Sequence, residues 1–270
     1  MYNLSAEQKL YFVLRLAVAM CFIGHGAFGI ITKPIWANYF AVFGIGHDMA
    51  FKLMPWVGAA DIALGITMLV YPVRAIAGWL VIWGLVTASL RPLSGEPFAE
   101  LIERAGNFGA PLCLLMLVGL PDTFKGWFTL ISPEIKISEA RSKQLTNVLR
   151  VLVFLLLAGH GWLNLIHKKG LIDQYTRLGF ANPVNVAFTA GMFELFAALT
   201  VLVKPVKSLL LILFIWKIST ELFYPHWEVF EWVERGGSYG CILALLMSLQ
   251  FQTSKGFTLN FTSHKTKPIN

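Results

Sequence analysis

The chain has 270 residues, of which 56% are hydrophobic and only 14% are charged. Soluble domains carry about 25% charged residues, so this composition excludes an ordinary soluble protein and indicates a lipid environment. The net charge of +7 needs no nucleic-acid partner to explain it. No basic segment interleaved with aromatic residues, which is typical of nucleic-acid binding, is evident in the sequence.

Eight apolar runs, separated by polar, Gly-containing or Pro-containing joints, predict an all-α, polytopic integral membrane protein with eight transmembrane helices. Several runs are close to the lower end of the ~17–25 residues that cross a bilayer. The predicted spans are about 10–31, 51–71, 74–92 and 105–121, followed by 147–166, 185–203, 206–224 and 238–251.

The second half of the chain repeats the first. Matching positions recur at offsets that drift only from 135 to 131 residues, as small loop deletions after a tandem duplication would produce. An even number of helices per repeat inserts both copies the same way up, with a pseudo-twofold axis along the membrane normal. The matching groups are Gly24-His25-Gly26 with Gly159-His160-Gly161, Asp61 with Glu194, Trp83 with Trp216, and Glu100-Leu-Ile-Glu103-Arg104 with Glu231-Trp-Val-Glu234-Arg235.

The duplication predicts two tandem four-helix bundles. Residues 1–121 form the first repeat, 122–146 a cytoplasmic linker with a short interfacial segment near Trp127, 147–252 the second repeat, and 253–270 a polar tail. Lys and Arg are more numerous at the termini and in the joints after the second, fourth and sixth spans, and such joints stay in the cytoplasm. We therefore predict a multi-pass protein of the cell (inner) membrane with both termini cytoplasmic.

Ionisable side chains gather toward the non-cytoplasmic leaflet in each repeat. Charged groups are costly in hydrocarbon and usually face a bundle interior or a cavity, where they pair or work. The candidate ligand-binding residues are His25, Asp61, Arg91, Glu103, Arg104, Asn107, His160, Glu194, Lys217, Glu221, Glu234, Arg235 and Ser238.

The two histidines have more than one interpretation. A neutral imidazole both donates and accepts hydrogen bonds, so His25 and His160 are candidates for metal, haem or quinone contacts. Alternatively, each packs between glycines and hydrogen-bonds a carboxylate. No His-x-x-Glu or Glu-x-x-His pair of the di-iron type is present, and we predict no metal site.

The acids of the second and sixth spans are either members of structural ion pairs or proton carriers. Their expected partners are Arg91 or Arg104 for Asp61, and Lys217 or Arg235 for Glu194.

The two copies differ in the polarity of their third spans. Lys217 and Glu221 are one helical turn apart and are predicted to pair, whereas the first copy has Gly84 and Ala88 at these positions. This divergence favours the second repeat as the location of an asymmetric working site.

Glu100, Glu103, Arg104 and Asn107 have the spacing of one face of a continuous helix. A different reading is that these acids begin the fourth span, where the helix dipole favours them, and that Arg104 pairs locally. The glycines that follow allow another backbone or a flat ligand to approach closely.

Three features together resemble the DoxX/DoxD-like membrane proteins, a group that includes the small subunit of thiosulfate:quinone oxidoreductase. They are Leu14-Arg15 opening a helix that ends in Phe22-Ile-Gly-His25-Gly26, the acid in Asp61-Ile-Ala-Leu-Gly65, and a Gly-containing fourth helix. The second repeat has corresponding residues. Such proteins are typically one four-helix unit, whereas two are fused here. The resemblance implies a quinone and a redox partner.

The expected function is therefore a quinone-linked membrane subunit that works with a separate redox protein and has no catalytic residues of its own. No flavin, haem or iron–sulfur motif is present in the sequence. The alternatives are a small-solute or proton-coupled carrier, and a non-catalytic membrane anchor or assembly protein.

Overall fold

The structure, a computed structural model, describes residues 4–222 and 229–255, with side chains described as far as residue 249. Helices dominate these ranges, so the all-α prediction is confirmed. The helices are α1 (Ala6–Ile30), α2 (Trp36–Ala41), α3 (His47–Val70), α4 (Arg74–Leu93), α5 (Ala99–Glu103), α6 (Ala105–Val118), α7 (Glu139–Leu165), α8 (Lys169–Arg177), α9 (Pro183–Val203), α10 (Lys207–Leu222), α11 (Val229–Glu234) and α12 (Gly236–Lys255), with one 3₁₀ turn at Phe124–Trp127.

Five helices in the described part of the chain are long and apolar enough to cross a membrane, namely α1, α3, α4, α7 and α9. They correspond to five of the eight predicted spans. The chain therefore has the helix lengths and composition of a membrane protein.

Helices α1 and α7 begin before the apolar runs that mark them in the sequence. Ser5 and Ser138 cap the two helices by accepting hydrogen bonds from backbone N–H groups of their first turns. The first turns are polar and therefore invisible to hydropathy. Because α7 already begins at Glu139, helix takes up part of the predicted 122–146 linker, whose 3₁₀ turn coincides with the predicted interfacial segment.

The charged stripe of each repeat, which runs from Glu100 to Asn107 in the first and from Glu231 to Ser238 in the second, lies on two helices and not on one. Arg104 has φ −90° and ψ 18°, so it ends α5 and precedes α6. Arg235 occupies the same position between α11 and α12. The prediction of one continuous helix face from Glu100 to Asn107 is therefore wrong, because the chain bends at the arginine.

The two repeats share one hydrophobic core. A single buried cluster contains Leu14 and Cys113 from the first repeat together with Leu149 and Cys241 from the second. Helix α1 packs on α3 within its repeat and on α12 of the other repeat, while α7 packs on α9 and on α6. The helices of the two halves are thus interlocked around this common core.

Helices α6 and α12, which belong to different repeats, cross at glycines. A Cβ on Gly106 would lie 2.6 Å from the backbone nitrogen of Ser238, and one on Gly237 would lie 2.6 Å from the carbonyl oxygen of Gly106. Both distances are far too short for real atoms, so α6 and α12 approach this closely only because side chains are absent. The equivalent glycine motifs of the two copies therefore meet at this crossing.

The glycines of the Gly-His-Gly motif serve two different contacts. Gly26 packs against the backbone of Gly58 on α3, within the same repeat. Gly24 packs against the backbone of Glu234, which belongs to the other repeat. The second copy makes the equivalent contacts, namely Gly161 with Gly191 and Gly159 with Glu103.

The arginine of each Leu-Arg pair has a structural role. Arg15 Nε donates to the carbonyl oxygen of Met68 at 2.7 Å, and Arg150 Nη2 donates to that of Val203 at 3.0 Å. Both carbonyls belong to the last turn of a helix, where they have no intrahelical partner. These arginines therefore cap α3 and α9.

The predicted polar tail lies largely outside the described residues. Helix α12 continues as far as Lys255, which is within the predicted tail. Residues 256–270 are outside the described part of the chain. So are residues 223–228, which include the end of the seventh predicted span.

Candidate functional site

Each histidine of the repeated motif is hydrogen-bonded to the acid of the following long helix. His25 Nδ1 lies 2.7 Å from Asp61 Oδ2, and His160 Nδ1 lies 2.5 Å from Glu194 Oε2. The acids were predicted to pair with arginine or lysine, which is wrong for the direct contacts. The alternative of a histidine packed between glycines and bonded to a carboxylate is confirmed in both copies.

A cavity of about 110 Å³ lies beside His25 and is partly open to the surface. Its aromatic walls come from α2, from the joint that follows α2, and from α4. Five aromatic residues line it: Trp36, Tyr39, Phe40, Phe43 and Trp83. Polar groups converge on the same space, namely His25, Thr87, Arg91, Arg104, Asn107 and Glu234. An apolar pocket with a few convergent polar groups is the usual form of a small-molecule site.

The equivalent space beside His160 is filled by protein. Only about 10 Å³ remains there, which is barely room for one water molecule. Leu171 and Tyr175 of α8 are buried in this region, and the Tyr175 hydroxyl donates to Asn164 Oδ1 at 2.8 Å. Asn164 in turn donates to the backbone oxygen of His160. The sequence favours the second repeat as the working site, whereas the geometry favours the first.

The two tryptophans at equivalent positions have different hydrogen bonds. Trp216 Nε1 donates to Glu194 Oε1 at 3.0 Å. Trp83 Nε1 is buried and, among the residues that the structure describes, has no hydrogen-bond partner. An unpaired buried donor is unusual, since most buried polar groups are hydrogen-bonded.

Buried ion pairs join the two repeats between these histidine sites. Arg104 Nη1 lies 2.6 Å from Glu100 Oε2 and 2.9 Å from Glu103 Oε2, so it pairs locally as predicted. Arg235 pairs with Glu103 of the other repeat. Lys168 Nζ lies 2.5 Å from Glu100 Oε1, again across the repeat boundary. The network thus joins α5 of the first repeat to the second repeat.

The second repeat adds its own ion pair to this network. Lys217 Nζ lies 2.8 Å from Glu221 Oε1, so the predicted pair one turn apart is confirmed. Glu221 Oε2 is 3.8 Å from Arg235 Nε.

Nearby cations keep the acids of the short helices ionised. Burial alone would raise the pKa of Glu100, but the charges of Arg104 and Lys168 outweigh it and lower the pKa to about 2. Burial likewise opposes ionisation of Glu103, and Arg235 and Arg104 hold its pKa well below the usual range. The network is therefore a set of permanent charges at neutral pH.

Glu103, His160 and Glu221 bring ligand atoms within 4.8 Å of one another, as a metal site would require. However, the carboxylates of this group are engaged by Arg104, Arg235 and Lys217 at hydrogen-bond or ion-pair distances. A divalent cation would compete with three neighbouring positive charges for the same oxygens. The group therefore fits an ion-pair network better than a metal centre.

The structure divides the predicted site residues into three groups. His25, Arg91, Arg104, Asn107 and Glu234 line the cavity, with Asp61 behind His25. Ser238 lies at the crossing of α6 and α12, where its backbone faces Gly106. The remaining residues, all within or adjoining the ion-pair network, are Glu103, His160, Glu194, Lys217, Glu221 and Arg235.

Sequence reasoning missed the residues supplied by short helices and joints. Trp36 and Tyr39 lie on α2, in a segment read as a loop, and the Tyr39 hydroxyl donates to Glu96 at 2.5 Å. Burial raises the pKa of Tyr39, so this hydroxyl remains a donor. Lys33 and Lys168 match at the same offset as the histidines, and that recurrence was the available signal for them.

Fold and site together define an all-helical protein with five helices able to cross a membrane, two interlocked repeats, and an aromatic cavity beside a buried histidine–aspartate pair. No protein-family model matches the chain, and no match is found among curated proteins or solved structures.

Proposed function

We propose that the protein crosses the membrane eight times, with both termini in the cytoplasm and both repeats inserted in the same direction. The remaining crossings would be α6, α10 and α12, which have 14, 16 and 20 residues in the described chain. A 14-residue helix is about 21 Å long, and α5 precedes this crossing and lies outside it. Parallel insertion is supported by neighbouring residues, because Glu234 lines the cavity beside His25 and Arg235 the space beside His160.

We further propose that the cavity beside His25 binds the head group of a membrane quinone and that the chain is the quinone-binding subunit of a membrane oxidoreductase. The observation that carries this proposal is an aromatic-walled cavity adjoining a buried His–Asp pair. Its size is of the order of the ~150 Å³ cavity that accommodates benzene in an engineered protein. The open side leaves room for ring substituents and an apolar tail.

The polar lining fits a ring that bears carbonyl oxygens. The Trp83 N–H and the Arg91 and Arg104 guanidinium groups are donors at the cavity. The joint that follows α2 contributes Phe43, which is 62% exposed, so the rim of the cavity is itself apolar. A head group that is polar at its edge and flat on its faces satisfies both features.

A quinone takes up two electrons and two protons on reduction to a quinol. In this chain, Asp61 holds Nδ1 of His25 and leaves Nε2 as the ring nitrogen available to a ligand. An imidazole ring nitrogen can donate or accept a proton. His25 is thus suited to hold a proton and pass it to an oxygen in the cavity, while electrons come from a separate redox protein.

Family membership forms part of the same proposal. His25 and Asp61 are among the residues that carry the resemblance to DoxX/DoxD-like proteins, and they form the pair beside the cavity. This coincidence supports assigning both repeats to that group.

Quinone retained by the purified protein tests the function. The protein is extracted in organic solvent, and quinone per chain is measured by chromatography against an unrelated membrane protein purified from the same membranes. We expect His25→Ala to lose the quinone and His47→Ala, whose side chain is 72% exposed, to keep it. Equal quinone content in the wild type and the unrelated protein would refute the proposal.

A different observation favours a carrier as the second candidate. The fourth helix of each repeat is interrupted, at Arg104 and Arg235, next to buried charges. Interrupted helices beside a binding site are common in transporters. Proton-driven solute uptake into proteoliposomes, abolished by Asp61→Asn or Glu194→Gln, would establish this function. If these variants only lower thermal stability, and quinone is also absent, the protein is an anchor.

A further inference from the structure

Two side chains that line the cavity carry a buried donor without a hydrogen-bond partner among the described residues, namely the indole N–H of Trp83 and the Nε–H of Arg104. In the second repeat, the matching tryptophan gives its N–H to Glu194, and that acid also accepts from His160. Trp83 follows Asp61 by 22 residues in the sequence, and Trp216 follows Glu194 by the same number. Of these two tryptophans, however, Trp216 has an acceptor, whereas Trp83 has none among the described residues.

The length of the acid accounts for this difference. Glu194 has one more methylene than Asp61, so its carboxylate stands further from the backbone, and its two oxygens contact both His160 and Trp216. Asp61 uses Oδ2 for His25 and does not reach the indole. The tryptophan of the second repeat is therefore hydrogen-bonded within the protein, whereas its counterpart in the first repeat, whose side chain lines a cavity, is not. The repeat with the unpaired tryptophan is also the one with an open cavity beside its histidine, whereas the space beside His160 is filled.

We propose that Trp83 Nε1 donates the hydrogen bond that fixes a ligand carbonyl oxygen in the cavity, and that the choice of Asp61 over a glutamate reserves this donor for the ligand. This inference rests on the proposed quinone function and names the residue that determines which repeat binds. An indole N–H only donates, so the group opposite it must present an acceptor. The carbonyl oxygen of a quinone ring is such a group.

The partner side chains around the indole support this assignment. Trp83 stacks on Trp79, with ring centroids 6.1 Å apart and planes within 9° of each other. The stack holds the indole plane in place, so the donor direction is set before a ligand arrives. A preorganised donor at the wall of an apolar site fixes orientation and adds specificity.

Substitutions at two positions test the proposal, with duroquinone as the probe and isothermal titration calorimetry in detergent as the measurement. Trp83→Phe keeps a flat ring and removes the donor, so we expect affinity to fall by about tenfold. Asp61→Glu should let the carboxylate take the indole N–H, as in the second repeat, with a similar loss of affinity and a raised melting temperature. Trp56→Phe, at a residue that is 77% exposed, is the matched control.

The reciprocal change in the other repeat separates specificity from general damage. Glu194→Asp should leave duroquinone affinity unchanged while lowering the melting temperature, because Trp216 loses its acceptor. If the wild type binds duroquinone and both Trp83→Phe and Asp61→Glu bind it equally well, this inference is wrong and the quinone function stands. If Asp61→Glu does not fold, Trp83→Phe alone decides. If the wild type does not bind, both fail.

Discussion

Lys168 Nζ lies 2.5 Å from Glu100 Oε1, and this ion pair joins the second repeat to α5 of the first repeat. The reciprocal ion pair, Lys33 with Glu231, joins the first repeat to α11 of the second repeat. In each repeat, a lysine therefore forms an ion pair with the charged stripe of the other repeat. This exchange explains why the two lysines recur at the same spacing as the histidines, and why separating the repeats would leave buried charges unpaired.

We expect Lys168 and Glu100 to be energetically coupled. In a double-mutant cycle of Lys168→Met and Glu100→Gln, the coupling free energy should be about 0.5–3 kcal/mol, the range for residues within one ion-pair network. Thermal unfolding in detergent measures it. Lys169→Met, at the exposed neighbouring lysine, should have little effect. A coupling energy near zero would show that the pair does not hold the repeats together.

Adding one methyl group to Gly159 should destabilise the protein strongly. Its Cβ would overlap the backbone of Glu103, and backbone cannot move aside as a flexible side chain does. We expect Gly159→Ala to cost roughly 1–3 kcal/mol or more, as overpacking does. The melting temperature of Gly46→Ala is the comparison, since a Cβ there meets nothing within 4 Å. Similar melting temperatures for the two variants would contradict the close approach.

The hydroxyl of Tyr175 should stabilise the closed second site. It donates to Asn164 at 2.8 Å, so Tyr175→Phe leaves a buried amide oxygen without this partner and should cost about 1–3 kcal/mol. Tyr71→Phe, at a tyrosine that is 52% exposed, serves as the control in the same thermal measurement. Equal stability of both variants would mean that the bond contributes nothing.

Acid should weaken the network through Glu100. Its pKa is about 2 in the folded protein and 4.5 ordinarily, so the folded state favours the ionised form. That stabilisation is fully present above pH 4.5 and is lost as the pH falls toward 2. We expect the melting temperature of the wild type to fall over this window. The fall should be smaller for Glu100→Gln than for Glu134→Gln, at an exposed acid, and identical curves would rule out this contribution.

Much of the architecture is readable from composition and repetition. Apolar runs bounded by polar joints predict helices wherever the surroundings are lipid, because the backbone must satisfy its own hydrogen bonds there. Five of those runs are long apolar helices in the structure. The repeated Gly-His-Gly motif and the repeated acids likewise predict a buried polar cluster in each half.

Short polar helices escape such reading. The helix bearing Tyr39 and the helix bearing Tyr175 have few residues and mixed polarity, so neither length nor hydropathy distinguishes them from loops. Their positions decide whether the space beside each histidine is open or filled. The bend at Arg104 is equally invisible, since the spacing of the stripe fits an unbroken helix.

Composition, local pattern and repetition thus establish that the chain is helical, apolar and duplicated, because these properties are read directly from the order of residues. Packing alone decides that the repeats exchange their charged stripes and that Trp83 remains unpaired while Trp216 does not. Those outcomes depend on distances between side chains more than twenty residues apart, where one methylene of difference between Asp61 and Glu194 changes which groups meet.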